Sequence, residues 1–206
     1  MIRSFIALPL PQVIQAALGE VAQRLAAQSQ GVKWVKPENI HLTLRFLGDT
    51  DPEQVPALAA GLDEIAAQHA PFPLRLGETG AFPNRRSPSR VASAAARVQL
   101  KGNLRALDRP RPRVLWVGLE EEGQQLHHLR QAVEDLALSL GWERNPQQFK
   151  PHLTLGRVRE GGGVPREVPA VPSLEFQADR IELIESRLKP EGPEYLTLHQ
   201  AKLNYP

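Results

Sequence analysis

The order of apolar and polar positions along the chain predicts short strands interrupted by three amphipathic helices. Alternating or continuous apolar positions predict strands at 3–10, 32–35, 40–48, 72–82, 113–119 and 149–158, and a closing antiparallel pair at 174–188 and 194–203. Apolar residues spaced by three and four predict helices at 11–28, 49–70 and 121–141. Pro11 and Pro52 suit the first turns of two helices, and Gly141 suits the end of the third. The segment GGGVP at 161–165 predicts a loop.

Short turns between most of these strands favour an antiparallel α+β fold over a doubly wound parallel one. The tetrapeptide HLTL occurs twice, at 41–44 and at 152–155, each time in a predicted strand preceded by a helix. This order indicates a weak internal duplication.

The repeated tetrapeptide carries chemical groups that a strand does not need. Because alternate side chains share a face, His41 and Thr43 point one way and the leucines point into a core, and the same holds for His152 and Thr154. Two imidazoles with a pKa near 6.5 can act as acid and base near neutral pH, although identical motifs leave open which is which. Hydroxyls can donate to the non-bridging oxygens of a phosphodiester, where negative charge develops. Neither motif has a third ligand at metal spacing, so no metal is predicted.

Composition places the chain among ordinary globular proteins. Its 206 residues suit one domain, and 41% are hydrophobic and 23% charged. No apolar run reaches the roughly 18–20 residues that cross a bilayer, so no membrane association is predicted. The chain has no cysteine, which is expected of a cytoplasmic protein.

Charge is unevenly distributed although the net charge is only +2. Between Arg85 and Arg113 there are nine basic residues and one acid, Asp108, so this segment carries +8 and the remainder −6. The block is typical of a surface that binds a polyanion such as RNA. It is more typical, by itself, of a solvated basic loop without a specific partner.

Further segments accompany the two motifs. The chain opens with RSFIALPLP, continues with HLTLRFLG, GAFPN, RVLWVGL and FKPHLTLGRV, and ends with IELIESRL. In these segments the chain resembles the 2H phosphoesterases over nearly its whole length, and among them the RNA 2′,3′-cyclic phosphodiesterases, also called 2′-5′ RNA ligases. The resemblance implies a single bilobal α+β domain over 1–206. Two pseudo-symmetric antiparallel sheets with flanking helices would surround a central groove, and each lobe would contribute one His-x-Thr motif.

The resemblance also implies an activity. The protein is expected to hydrolyse a terminal RNA 2′,3′-cyclic phosphate to a 2′-phosphomonoester without metal or cofactor, with reversible 2′-5′ ligation as a further activity. His41 would be the proton donor and His152 the acceptor, and Thr43, Thr154 and Arg157 would bind the phosphate. RNA, including tRNA halves, is the expected partner of a cytoplasmic monomer. Two alternatives stay open: a 2H phosphodiesterase acting on a small cyclic nucleotide or ADP-ribose cyclic phosphate, and a non-catalytic RNA-binding module.

Strand geometry adds further candidates. Regular alternation puts Arg45 on the face of His41, which makes it a second phosphate ligand, whereas Arg157 reaches the face of His152 only if a bulge lies near Gly156. Base stacking is a role for three aromatic side chains, Phe5, Trp34 and Phe149.

One segment departs from the family pattern. The family passes almost directly from GAFPN to RVLWVGL, whereas residues 87–108 lie between them here. We expect this segment to be a basic insertion or surface loop, because lengthening a loop costs little free energy.

Overall fold

The computed structural model describes residues 1–83, 98–99, 112–163 and 169–204. The strands are β1 (Ile2–Leu8), β2 (Gln30–Trp34), β3 (Leu42–Thr50), β4 (Phe72–Pro83), β5 (Val98–Gln99), β6 (Pro112–Glu120), β7 (His152–Gly163), β8 (Glu175–Ala178), β9 (Arg180–Lys189) and β10 (Gly192–Lys202). The helices are α1 (Gln12–Ala26), α2 (Val55–Ala66) and α3 (Gln125–Ser139). The α+β prediction is confirmed.

The strands form one sheet in the order β10-β9-β1-β3-β7-β6-β4-β5, with β2 beside β7 and β8 beside β4. Each described pair is antiparallel. The two HLTL strands, β3 and β7, are neighbours at the centre and pair at Leu42 and Leu153. The two antiparallel sheets implied by the resemblance are therefore parts of one sheet here, joined at the repeated motif.

The leucines of the two motifs decide which face of the sheet the helices cover. All four are at most 3% exposed, and they belong to the same buried cluster as Leu18 of α1, Leu62 of α2 and Leu129 of α3. Fully burying a leucine side chain contributes about 1.5–3 kcal/mol. Because alternate residues face opposite ways, burying these leucines under the helices turns the histidines and threonines toward the other face.

The prediction of a loop at 161–165 is wrong for its three glycines, because β7 continues to Gly163 and pairs there with Gln30. The other two residues of that loop lie outside the described residues. A Cβ on Gly162 would lie 2.8 Å from the carbonyl oxygen of Gly31. The glycines therefore allow two backbones to approach closely. A strand of glycines has no alternation of apolar residues, so the sequence pattern does not predict it.

Most of the basic block and of the segment 87–108 lies outside the described residues. The described part of the segment 87–108 is β5, a short strand that pairs with Gly80 and Ala81 of β4. None of the described helices is long and apolar enough to cross a membrane.

Candidate active site

The first HLTL strand contains a β-bulge at its second leucine. Ala7 of β1 pairs with Thr43 and the preceding residue, Ile6, pairs with Arg45, so Leu44 is the extra residue. A bulge shifts the alternation of the strand by one position. As a result Phe46, and not Arg45, lies on the same face as Thr43 and lines the groove.

The second HLTL strand contains the same irregularity. Trp116 of β6 pairs with Thr154 and Leu115 pairs with Gly156, so Leu155 is the extra residue. Arg157 is therefore exposed on the face of Thr154 and lines the groove. Strand alternation allowed this position only with a bulge near Gly156, and the bulge is present. Arg157 lies five residues after its motif histidine, and Phe46 lies five residues after the other.

Both motifs line one groove of about 380 Å³. Its lining residues are Arg3, Lys33, Trp34, Val35, Lys36, Asn39, His41, Thr43, Phe46, His152, Thr154, Arg157, Leu188, Glu191, Gly192, Pro193 and Tyr195.

The antiparallel pairing of Leu42 with Leu153 sets the arrangement of the four polar side chains. Continuing this register by one residue in each direction brings His41 opposite Thr154 and Thr43 opposite His152. The two histidines are then diagonal neighbours, whose Cα atoms lie about 7–8 Å apart in a regular antiparallel pair. Both imidazoles line the same groove.

Each histidine is held by the same kind of hydrogen bond. The Nδ1–H of His41 donates to the carbonyl oxygen of Asn39 (2.8 Å), and that of His152 donates to the carbonyl oxygen of Lys150 (2.6 Å). In each case the acceptor lies two residues before the histidine. Because Nδ1 is the donor, Nε2 of each ring remains available to accept or donate a proton in the groove. The amino-acid sequence does not predict this contact, since any residue supplies a backbone carbonyl.

Aromatic rings enclose both histidines. Phe5 stacks on His41 with ring centroids 4.7 Å apart, and Tyr195 meets the same imidazole edge-on at 5.3 Å. Phe82 meets His152 edge-on at 4.8 Å. These contacts restrict the rotation of the two imidazoles.

The enclosure changes the proton affinity of both side chains. Burial lowers the pKa of His41 from 6.5 to about 4; the bond to the Asn39 carbonyl opposes the shift, and His152 adds to it. Burial also lowers the pKa of His152, where the Lys150 carbonyl opposes the shift and Arg157 adds to it. At pH 7 the neutral imidazole is therefore favoured at both positions in the empty groove.

The charges of the groove favour an anionic ligand. Among its described lining residues, Arg3, Lys33, Lys36 and Arg157 are basic and Glu191 alone is acidic. Across the residues that the structure describes, none of these four cations has a salt-bridge partner.

The structure contradicts the prediction that Arg45 binds phosphate. Arg45 is 7% exposed, forms an ion pair with the carboxylate of Glu134 on α3 (3.4 Å) and donates to the carbonyl of Glu143. Arg130 pairs with the same carboxylate at 2.9 Å. The bulge at Leu44 turns Arg45 toward the helices, which regular alternation did not anticipate.

The three stacking candidates have different environments. Phe5 is 3% exposed beneath His41, and Phe149 packs against the core under the guanidinium of Arg130. Both therefore lack the free ring face that a nucleobase needs. Trp34 does line the groove, as does Phe46, which is 56% exposed and was not predicted.

Gly156 makes room for Trp34. A Cβ at this glycine would lie 3.0 Å from the Trp34 ring and 2.9 Å from Val32. The absence of a side chain lets β2 lie close beside the second motif strand, β7.

In the described ranges no group of three or more His, Cys, Asp or Glu side chains is placed to hold a metal ion.

Comparison with known proteins assigns the family. The family model described as LigT like Phosphoesterase matches residues 8–92 and 117–195. The chain belongs to the LigT-like phosphoesterases. It is therefore a member of the family that the double motif predicted, and the prediction of a phosphodiester hydrolase is confirmed.

Individual relatives cover almost all of this LigT-like phosphoesterase. A Thermus thermophilus protein named RNA 2′,3′-cyclic phosphodiesterase is 36% identical over 98% of this chain and 90% of its own length. An Archaeoglobus fulgidus protein of the same name is 32% identical over 95% of this chain and 97% of its own.

Solved structures share the fold. The crystal structure of a Thermus thermophilus protein superposes with a TM-score of 0.72 at 32% identity, covering 98% of each chain. The crystal structure of E. coli LigT complexed with 3′-AMP superposes with a TM-score of 0.69 at 22% identity, again over 98% of each chain. The fold of this LigT-like phosphoesterase is therefore that of solved family members.

Proposed function

We propose that the protein hydrolyses a terminal RNA 2′,3′-cyclic phosphate to a 2′-phosphomonoester, with the two motif histidines as acid and base. The relatives named RNA 2′,3′-cyclic phosphodiesterase, which align over nearly the whole chain, support this substrate. The observation that carries the proposal is the arrangement of the two motifs. Two imidazoles lie on neighbouring strands of one groove, and each has its Nδ1 bonded to a carbonyl and its Nε2 available.

The proposed step is an in-line displacement at phosphorus. His152 removes a proton from water, whose oxygen bonds to phosphorus as the bond to the ribose O3′ breaks. His41 gives its proton to O3′, so charge and protons balance. Thr43 and Thr154 donate hydrogen bonds to the non-bridging oxygens, and the Arg157 guanidinium offsets their growing charge. With a ribose 5′-hydroxyl in place of water, the same step joins two RNA ends through a 2′-5′ linkage, and it is reversible.

The pKa values of the histidines predict how rate depends on pH. The step needs one protonated and one neutral imidazole, but burial lowers both pKa values in the free protein. The singly protonated form is therefore depleted above pH 6.5, and the bell-shaped profile of kcat/KM should have its maximum on the acidic side of that pH. The negative charge of a bound phosphate raises both pKa values and favours uptake of the catalytic proton.

The test is hydrolysis of an RNA oligonucleotide ending in a 2′,3′-cyclic phosphate, in the presence of a metal chelator. A 2′-phosphate product is expected. His41→Ala and His152→Ala should each lower kcat by about 10²–10⁴-fold, the usual contribution of an acid or base. His127→Ala, at an exposed histidine of α3, is the control and should retain activity. Full activity in both motif variants would refute the mechanism, and activity abolished by the chelator would refute its metal-free form.

The sequence-based expectations of a monomer and of a cytoplasmic location stay predictions. Gel filtration with light scattering and fractionation of cells test them.

A further inference from the structure

We propose that Lys33 and Lys36 form a second phosphate-binding subsite, which holds the phosphodiester one nucleotide before the reacting terminus. The protein would then select oligonucleotides over mononucleoside cyclic phosphates. The inference rests on the proposed function for its reacting phosphate, and it adds the substrate class that the groove accepts.

The first observation is a pair of like charges placed directly opposite each other. Lys33 of β2 and Arg157 of β7 are register partners in an antiparallel pair, and both line the groove. Like charges directly opposite each other destabilise a sheet, and no carboxylate of the described chain lies within salt-bridge distance of either. Phosphate groups of a ligand, one beside Arg157 and the next beside Lys33, offset this repulsion.

A second cross-strand pair of cations shows the contrast. Lys202 of β10 lies opposite Arg180 of β9, but the Arg180 guanidinium has carboxylate partners in Asp179 (3.0 Å) and Glu182 (3.4 Å). The protein neutralises that pair internally. Among the residues that the structure describes, no carboxylate neutralises Lys33 or Arg157 in this way.

The second observation is an excess of positive charge over what the reacting group needs. A 2′,3′-cyclic phosphate is a diester with one negative charge, and Arg157 with the two hydroxyls and a protonated histidine satisfies it. Lys33, Lys36 and Arg3 also line the groove, and Glu191 is the one acid among the lining residues that the structure describes. The remaining cations match a ligand with further phosphates, which a mononucleoside cyclic phosphate lacks.

The position of the two lysines indicates where the additional phosphate lies. Lys33 and Lys36 are exposed and flank the groove-lining Trp34 and Val35. Base stacking on an aromatic ring beside a cationic track is a common way to hold a single strand. Trp34 would contact the nucleotide between the two bound phosphates.

The experiment compares a mononucleoside 2′,3′-cyclic phosphate with an RNA trinucleotide ending in the same group. We expect the K33A/K36A double variant to lose at least about tenfold in kcat/KM on the trinucleotide and less than twofold on the mononucleoside. Each lost phosphate contact should also reduce the slope of log kcat/KM against log salt by about 0.7 on the trinucleotide. Lys202→Ala, at an exposed lysine of the contrasting pair, is the matched control and should leave kcat/KM unchanged on both substrates.

Equal losses on both substrates, or no loss on either, would overturn the subsite. A binding measurement separates this result from a failure of the proposed function. Anisotropy of a labelled trinucleotide ending in a 3′-phosphate should show at least tenfold weaker binding to K33A/K36A, with nucleoside 3′-monophosphate as a competitor of unchanged affinity. Such a difference in a parent protein without hydrolytic activity would support the subsite while refuting the proposed reaction. Equal trinucleotide affinities would refute the subsite whatever the activity.

Discussion

His41 should make the stability of the folded protein fall in mild acid. Its pKa is about 4 in the folded state against 6.5 as its ordinary value, and the first cause is burial. Between these two values the unfolded chain binds a proton that the folded chain excludes, so the free energy of unfolding rises with pH in this window. Above pH 7 both states are neutral at this position and the dependence disappears.

The size of the effect comes directly from the two pKa values. At 1.36 kcal/mol per pKa unit the complete loss, reached below pH 4, would be about 3 kcal/mol. Between pH 7.5 and pH 5, linkage gives a loss of about 2 kcal/mol from His41. The pKa of His152 is lowered too, so it adds a loss of the same sign in the parent protein.

A pair of urea titrations isolates the contribution of His41. Unfolding is followed by fluorescence of the three tryptophans at pH 7.5 and pH 5. The parent should lose about 2 kcal/mol more than His41→Gln over this interval, and His127→Gln, at the surface of α3, should behave as the parent does. Sulfate stays doubly charged over this pH interval. It should reduce the difference between the losses of the parent and of His41→Gln, because an anion in the groove raises the pKa of His41. Parallel losses in the parent and His41→Gln would show that the imidazole is not desolvated, and the pH argument for catalysis would fail with it.

Two further predictions concern the frame around the site. Glu134→Gln removes the carboxylate shared by Arg45 and Arg130 and leaves two buried guanidiniums uncompensated, so the free energy of unfolding at pH 7.5 should fall by about 3–5 kcal/mol; a change below 1 kcal/mol in urea titrations would mean that solvent reaches the cluster. Gly156→Ala places a Cβ 2.9 Å from Val32, so the free energy of unfolding in the same titration should fall by about 1–3 kcal/mol. An unchanged or higher free energy of unfolding would contradict the close packing of β2 against β7.

The amino-acid sequence by itself determined the elements and the chemistry. Helices and strands follow from apolar periodicity, which local spacing encodes, so the described elements lie close to the predicted ranges. Two copies of an imidazole and a hydroxyl on alternating positions have no packing purpose, so the repeated HLTL indicated acid–base chemistry. Its resemblance to the 2H phosphoesterases gave the family without any coordinates. The same alternation correctly separated the motif leucines, which are buried, from the histidines and threonines, which line the groove.

The tertiary structure alone decided which cations face the substrate groove. Leu44 and Leu155 each occupy a bulge, so the fifth residue after each histidine reaches the groove and the fourth does not. Arg45 therefore joins a buried ion pair, and Arg157 lines the groove. A bulge depends on the register with the neighbouring strand, and that register is a long-range property of the sheet. For the same reason the position of Lys33 could not be predicted from the sequence. Lys33 lies opposite Arg157 only because β2 pairs with β7, more than a hundred residues away in the chain.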